Sequence, residues 1–193
     1  MENSHAAIEA VEAVVGKDVA DGLDFSGRTK TVVTHSLSSA IAIDRMSGYA
    51  SGYRAVPAHD AGKVRKVAEV LTAAGCDVVI VPDNSDLSRA VARDAARATG
   101  AAIASPVYKP NQPNLLITFA DAIESAKERL PLWDGKGDPA GTLANASLLS
   151  SAAKAAYVDL VVAPIADAKP WKPGMGRVDR IAEVRAMSAG IER

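Results

Sequence analysis

Four short apolar runs, each followed by a segment with helical spacing, constrain the fold of this chain most strongly. The runs are rich in valine, isoleucine or alanine and lie at residues 30–34, 53–57, 77–82 and 101–105. Strands that alternate with helices form a mostly parallel sheet with helices on both faces. We therefore predict an α/β fold with a mostly parallel, Rossmann-like sheet.

The first and third of these strands end abruptly in polar residues. His35 follows the first strand, and a polar stretch that begins with Asp83 and ends with Asp86 follows the third. In open α/β sheets, ligands bind outside the carboxyl ends of the strands. These two strand tips are therefore the first place where we expect a functional site.

The helices between the strands are predicted from the spacing of apolar residues. The clearest begins near residue 62 and has one apolar face at the i, i+3, i+4, i+7 spacing, formed by Val64, Val67, Ala68, Leu71 and Ala74. The helix that follows Asp86 has an apolar set that we expect to be buried, namely Leu87, Ala90, Val91, Ala95 and Ala98. A shorter helix at 6–15 comes before the first strand, and Gly16 is placed to end it.

The C-terminal part is predicted to continue the alternation of helices and strands. We expect a loop at 106–113, helices at about 119–130, 143–155 and 178–189, an apolar strand at 158–163 and a loop at 164–176. The glycine- and proline-rich stretch at 131–141 has the composition of a linker. The predicted organisation is an N-terminal helix and lead-in at 1–26, a main domain at 27–130, and a C-terminal α/β extension at 131–193 that packs on the same sheet.

Composition excludes several classes of protein. The net charge of −1, from 22 basic and 23 acidic residues, gives no overall field that would attract nucleic acid. A single cysteine, Cys76, excludes an internal disulfide framework and a cysteine-cluster zinc site. The chain has no apolar run of membrane-spanning length and no signal-peptide pattern, so we expect a cytoplasmic protein without a membrane partner.

Polar stretches after the strands carry a resemblance to a known family. They are His35-Ser36 with 38–40 after the first strand, Asp60-Ala61-Gly62-Lys63 after the second, Asp83-Asn84-Ser85 after the third, and Pro113-Asn114-Leu115-Leu116 after the fourth. From Gly27 to about Leu130, a little over half of its length, the chain resembles the Toprim domain of DNA primases and topoisomerases. It is most similar to the plasmid and conjugative primase branch. The resemblance implies a Toprim-like sheet in a DNA-processing protein of a plasmid, phage or conjugation system.

The departures from the Toprim pattern fall on the positions that carry catalysis in the family. Active Toprim domains have a glutamate after the first strand, which acts as general acid or base, and paired aspartates after the third, which hold Mg²⁺. His35 stands at the glutamate position, Ser85 at the second aspartate, and Asn114 in a segment that tends to be acidic. Mg²⁺ prefers carboxylate oxygens, so the resemblance implies no cofactor, or weakly bound Mg²⁺.

The remaining acidic residues and the histidine define the candidate site. His35 and Asp83 are the candidate catalytic residues, and Asp60, Asp83 and Asp86 are the candidate metal ligands. An imidazole can transfer a proton near neutral pH, although it does not replace a carboxylate as a ligand for Mg²⁺. The structural alternatives stay open: His35 fills a lost catalytic position, Asp83 and Asp86 stabilise a helix N-terminus, and Asp60 forms a turn.

A set of basic residues and one tryptophan are the candidate contacts to nucleic acid. They are Lys63, Arg89, Arg93, Lys169, Trp171 and Lys172. Trp171 lies between two lysines, so it is suited either to stack on a base or to fold back over the core and anchor a loop. The arginines lie four residues apart on one helix face. Such a face either contacts the phosphate backbone of a nucleic acid or is simply exposed to solvent.

Three hypotheses about function follow from the sequence. The first is a catalytically degenerate Toprim-like domain that binds DNA or RNA, or a protein of a replication or transfer complex. The second is an active Mg²⁺-dependent enzyme of the primase or nuclease type, in which Asp60, Asp83, Asp86 and His35 converge on one point. The third is a nucleotide or small-molecule binding α/β domain that uses the same strand tips.

Overall fold

A parallel sheet of four strands forms the centre of the protein. The structure is a computed structural model and describes residues 2–20, 23, 30–45, 52–109, 111–116, 121–122 and 150–172. The strands are β1 (Lys30–Thr34), β2 (Tyr53–Pro57), β3 (Val78–Val81) and β4 (Ala102–Ile103), and their spatial order is β2-β1-β3-β4. The predicted α/β class and parallel sheet are therefore confirmed. The β-branched residues of β1 and β3 are buried on both sides, as is usual for a parallel sheet.

Helices cover both faces of this sheet. They are α1 (Glu2–Val15), α2 (Lys17–Ala20), α3 (Leu37–Arg45), α4 (Ala61–Ala73) and α5 (Asp86–Thr99). Alternate strand residues divide between two cores, since Val33 and Ile80 pack with α1, α4 and α5 while Val32 and Val79 pack with α3 on the other face. The N-terminal helix rests on α4 and ends at Gly16, whose φ of +99° is in the region that favours glycine.

The strand order creates a switch point between β1 and β3. The chain leaves β1 through α3 to reach β2 on one side, and it later reaches β3 on the other side of β1. Thr34, the last residue of β1, is paired with Val81, the last residue of β3. The polar residues that follow these two strands therefore lie at neighbouring positions on the carboxyl edge, where open α/β sheets bind ligands.

The face of α5 was predicted incorrectly. Leu87 is 68% exposed and Ala90 and Ala98 are also exposed, although all three were expected to be buried. The buried residues are small ones: Ser88, Ala92, Ala95 and Ala96. Small side chains allow α5 to lie close against α4, so hydrophobicity alone did not identify the packed face.

The predicted loop at 106–113 contains a β-hairpin. Strand β5 (Tyr108–Lys109) pairs antiparallel with β6 (Gln112–Leu116), and Asn111 in the turn has a φ of +61°. Asparagine tolerates this left-handed conformation better than most residues, which suits it to a tight turn. Leu116 is fully buried beside α3, so the hairpin helps to cover that face of the sheet.

The predicted strand at 158–163 was wrong, because this segment is helical. Residues 150–157 form a helix that continues through a π-helical turn (Val158–Val162) into a final α-helical turn (Ala163–Ala166). Its apolar residues Val161, Val162 and Ile165 are buried against the sheet, in the core that contains Val32. A short apolar run has the same composition whether it forms a buried strand or a buried helix, and periodicity does not separate the two.

The C-terminal segment is attached to the sheet at several points. The Lys30 ammonium group donates to the Ala166 carbonyl at 2.9 Å, and Pro170 forms an antiparallel bridge with Ala102 of β4. The Leu160 carbonyl in the π-helical turn accepts a hydrogen bond of 2.9 Å from the Val107 amide. The segment 150–172 is therefore part of the same packed unit as the sheet.

Several predicted features fall outside the described residues. They are the linker at 131–141, the helix at 178–189, most of the helix at 119–130, and the start of the helix at 143–155. The domain boundaries at 26–27 and 130–131 stay predictions. In the part of the chain that is described, no helix is both long enough and apolar enough to cross a membrane.

Candidate functional site at the β1 and β3 tips

Asp83 lies at the centre of the carboxyl edge, directly after β3. Its side chain is only 10% exposed, and its Oδ1 is 3.1 Å from the Ser36 hydroxyl and 3.5 Å from the Ser39 hydroxyl. The Asp83 amide donates to the Ser88 hydroxyl at 2.9 Å, which fixes the backbone after β3 against α5. The two strand tips identified in the sequence are thus joined through one buried carboxylate.

Ser36 forms the turn between β1 and α3. Its hydroxyl accepts from the Ser39 amide at 3.3 Å, as an N-capping residue does, and the Thr34 hydroxyl donates to its carbonyl at 2.9 Å. The hydroxyls of Ser36 and Ser39 are 2.9 Å apart, and that of Ser38 is 3.2 Å from Ser36. One serine therefore begins a helix and also contacts the central carboxylate.

His35 approaches the other oxygen of the same carboxylate. Its Nδ1 lies 3.4 Å from Asp83 Oδ2, which is within the range of an ion pair. The geometry does not give a hydrogen bond, and Nδ1 has no other hydrogen-bond partner among the residues described. The contact is therefore electrostatic, and it stabilises the aspartate charge whenever the imidazole is protonated.

Burial shifts the acid–base properties of the site. Removal from water raises the pKa of Asp83, and the opposing effects of His35, Ser36 and Ser39 do not fully compensate. Burial also raises the pKa of the Tyr108 phenol, and the nearby negative charge of Asp83 raises it further. The Tyr108 hydroxyl donates to the Pro82 carbonyl, so this ring is held against the end of β3.

A cavity of about 290 Å³ opens beside Asp83, between the ends of β3 and β4. Asp83 and Asn84 line it on the β3 side, and the segment from Ser105 to Tyr108 lines it on the β4 side. Arg89 reaches it from the first turn of α5. The cavity lies at the carboxyl edge, where open α/β sheets bind ligands, and its volume is near the lower end of the range for ligand pockets.

The other candidate metal ligands do not join Asp83. Asp60 caps α4, where its Oδ1 accepts from the Gly62 amide at 2.8 Å. Asp86 is fully exposed at the start of α5 and pairs with Arg89 at 3.1 Å. Within the described ranges, no group of three or more histidine, cysteine, aspartate or glutamate side chains is placed to hold a metal ion.

The candidate nucleic-acid contacts are distributed over different surfaces. Arg89 is at the site, where it donates to Asn84 Oδ1 at 2.6 Å and to Asp86. Arg93 is exposed farther along α5, Lys63 is exposed in the first turn of α4, and Lys169 and Lys172 are exposed near the far end of the described chain. Their proposed contact with nucleic acid stays a prediction.

Trp171 corresponds to the loop-anchor alternative. Its side chain is partly buried against the α1, α4 and α5 core, and its ring lies under the Arg97 guanidinium at 5.9 Å. Its amide lies 3.2 Å from the Gly100 carbonyl. The ring therefore fastens the C-terminal segment to α5.

Sequence reasoning placed His35, Ser36 and Asp83 at the strand tips and Arg89 among the candidate nucleic-acid contacts. It did not predict that Ser36 contacts Asp83, because that contact depends on the pairing of β1 with β3. It also did not single out Ser39 or Tyr108. Tyr108 reaches Pro82 through the hairpin, which no local pattern predicted. Comparisons of this chain with protein-family models, with curated proteins and with solved structures found no match.

Proposed function

We propose that this chain is a Toprim-like domain that has lost metal-dependent chemistry and binds nucleic acid at the carboxyl edge of its sheet. The observation that carries the proposal is the environment of Asp83. Its two oxygens face serine hydroxyls and a histidine, and no second carboxylate is placed beside them among the described side chains.

This environment is poorly suited to Mg²⁺. The ion is usually held by one or two carboxylates together with phosphate and water, in a near-octahedral arrangement. At Asp83 the hydroxyls of Ser36 and Ser39 are already directed at Oδ1, and His35 faces Oδ2. The carboxylate therefore serves to organise the two strand tips, because it joins the start of α3 to the end of β3.

The same edge offers groups that suit a phosphate-containing ligand. Arg89 and Asn84 line the cavity beside Asp83, and the N-terminal turns of α3 and α5 lie at the same edge. Guanidinium groups and helix N-termini are favourable partners for phosphate.

Two measurements test this proposal on the full chain. Fluorescence anisotropy with labelled single-stranded DNA, single-stranded RNA and duplex DNA is expected to show binding that persists in EDTA. The affinity should fall as salt increases, since each phosphate contact on a single strand contributes a slope of about −0.7 in log K against log salt. Assays of nicking, primer synthesis and phosphodiester hydrolysis with Mg²⁺ or Mn²⁺ are expected to show no activity.

Two results would overturn the proposal. Metal-dependent nicking, synthesis or hydrolysis that is abolished by Asp83→Ala would show that the site is catalytic. Absence of binding to every nucleic acid at low salt would remove the binding function.

A further inference from the structure

Two kinds of residue line the cavity beside Asp83. The apolar or aromatic ones are Pro82, Pro106, Val107 and Tyr108. The polar ones are Asp83, Asn84, Ser105 and Arg89. A ligand that fills this space must therefore offer both an apolar surface and hydrogen-bonding groups.

The polar residues of the lining exclude the simplest ligands. A purely apolar ligand would cover the Asn84 amide nitrogen and the N–H donors of Arg89 without giving them partners, which is costly. A bare anion would be repelled by the Asp83 carboxylate when that group is ionised. A planar heterocycle satisfies both kinds of residue, because its faces are apolar while its edge carries hydrogen-bond donors and acceptors.

Arg89 adds a place for a negative group at the entrance. Its guanidinium has five N–H donors, and it donates from Nη1 to Asn84 and from Nη2 to Asp86. Its side chain is 43% exposed, so the remaining donors are accessible from solvent. The hydrogen bond to Asn84 Oδ1 also leaves the Asn84 amide nitrogen as a donor toward a ligand.

We propose that this cavity takes up one nucleobase, with its ring against Pro82, Pro106 and Tyr108, its polar edge toward Asn84 and Ser105, and its phosphate toward Arg89. The inference rests on the proposed function and deepens it, because it assigns an unpaired base to a defined place at the site. A base that enters the cavity is not available for pairing, so the expected ligand is single-stranded nucleic acid or a free nucleotide.

Two pairs of variants test the inference, with the anisotropy assay on single-stranded oligonucleotides as the readout. Val107→Trp places a large side chain at the cavity, and Ile41→Trp is its control, since Val107 and Ile41 are 41% and 42% exposed and only Val107 lines the cavity. Arg89→Gln removes the charge at the entrance, and Lys66→Gln is its control, because Lys66 is exposed on α4 away from the cavity.

Val107→Trp is expected to weaken binding by about 5- to 150-fold, which corresponds to the loss of one stacked base. Arg89→Gln is expected to weaken binding at low salt and to reduce the slope of log K against log salt by about 0.7, which corresponds to the loss of one phosphate contact. The control variants should bind like the wild type. Isothermal titration with mononucleotides and with inorganic phosphate forms the second arm, in which mononucleotides should bind and phosphate alone should not.

The outcomes separate the inference from the proposed function. If the wild type binds oligonucleotides and the cavity variants bind equally well, the nucleobase assignment is wrong while the proposed function stands. Phosphate that binds as tightly as mononucleotides also overturns the assignment. If mononucleotides bind at the cavity and no oligonucleotide does, the assignment stands and the proposed nucleic-acid function is wrong. If neither binds, both are wrong.

Discussion

Replacement of Ser36 by alanine should lower the free energy of unfolding more at neutral than at acid pH. Two interactions of the Ser36 hydroxyl decide this result: it caps α3 through the Ser39 amide at 3.3 Å, and it donates to Asp83 Oδ1 at 3.1 Å. Loss of an N-cap costs about 0.5–2 kcal/mol at any pH. Loss of a hydrogen bond to a charged group costs about 1.5–3 kcal/mol, and this part depends on the ionisation of Asp83.

Ser85→Ala is the matched control, because Ser85 caps α5 by accepting from the Ser88 amide at 3.2 Å and its hydroxyl does not contact Asp83 in the hydrogen bonds described. The cost of Ser36→Ala should exceed that of Ser85→Ala by about 1.5–3 kcal/mol near pH 8. The hydrogen bond from Ser36 lowers the pKa of Asp83, so its charged contribution is present above that pKa and is lost as the pH falls through it.

Urea denaturation of both variants and the wild type, from pH 8 down to pH 3, measures this difference. At acid pH, Asp83 is protonated in both the folded and the unfolded state, so the excess cost should fall to about 1 kcal/mol or less. An excess that is the same at every pH would refute the reasoning, because it would mean that Ser36 acts only as a helix cap.

Three further predictions concern stability. Asp83→Asn should melt at the same temperature as the wild type or higher at pH 8, because burial raises the pKa of Asp83 and ionised Asp83 therefore disfavours the folded state above that pKa. The difference in melting temperature between this variant and the wild type should disappear by pH 3. If calorimetry shows that the variant melts below the wild type at pH 8 but not at pH 3, the prediction is contradicted. Trp171→Ala should lower the free energy of unfolding by about 1–3 kcal/mol in urea, and Arg97→Ala by about 0.5–1 kcal/mol, since the first loses packing as well as the cation–π contact. Leu71→Ala, at a fully buried position of α4, should cost about 2–5 kcal/mol in the same assay, and a cost below 1 kcal/mol would mean that α4 is packed differently.

The sequence was sufficient to predict the central sheet. The β-branched residues of β1 and β3 are buried on both sides, and polar residues follow each strand. The composition of these runs and the polar residues that end them therefore both predict central strands. The helix α4 was also predicted correctly, because its buried face is apolar (Val64, Val67 and Leu71) while its exposed face carries charged residues such as Arg65 and Lys66. In these elements local preference and tertiary packing agree.

The errors occurred where tertiary packing buries the less hydrophobic residues, or where it gives a segment a secondary structure that its composition does not favour. In α5 the alanines at 92, 95 and 96 lie inside and Leu87 lies outside, because the approach of α4 favours small side chains. At Val158–Val162 a valine-rich segment is helical, because its burial against the sheet outweighs strand preference. The contacts of Ser36 and Tyr108 with the end of β3 were missed because they join residues far apart in sequence.

The hydrogen bond from the Val107 amide to the Leu160 carbonyl makes the wall of the cavity dependent on a distant part of the chain. Exchange of this amide requires its hydrogen bond to break, and local opening of the helical segment 150–166 is sufficient to break it. The protection factor of Val107 should therefore fall when that segment opens, even while the neighbouring strands β4 and β5 stay paired. A ligand held in the cavity would slow exchange at both places, so the C-terminal helical segment is thermodynamically coupled to the occupancy of a site that it does not line.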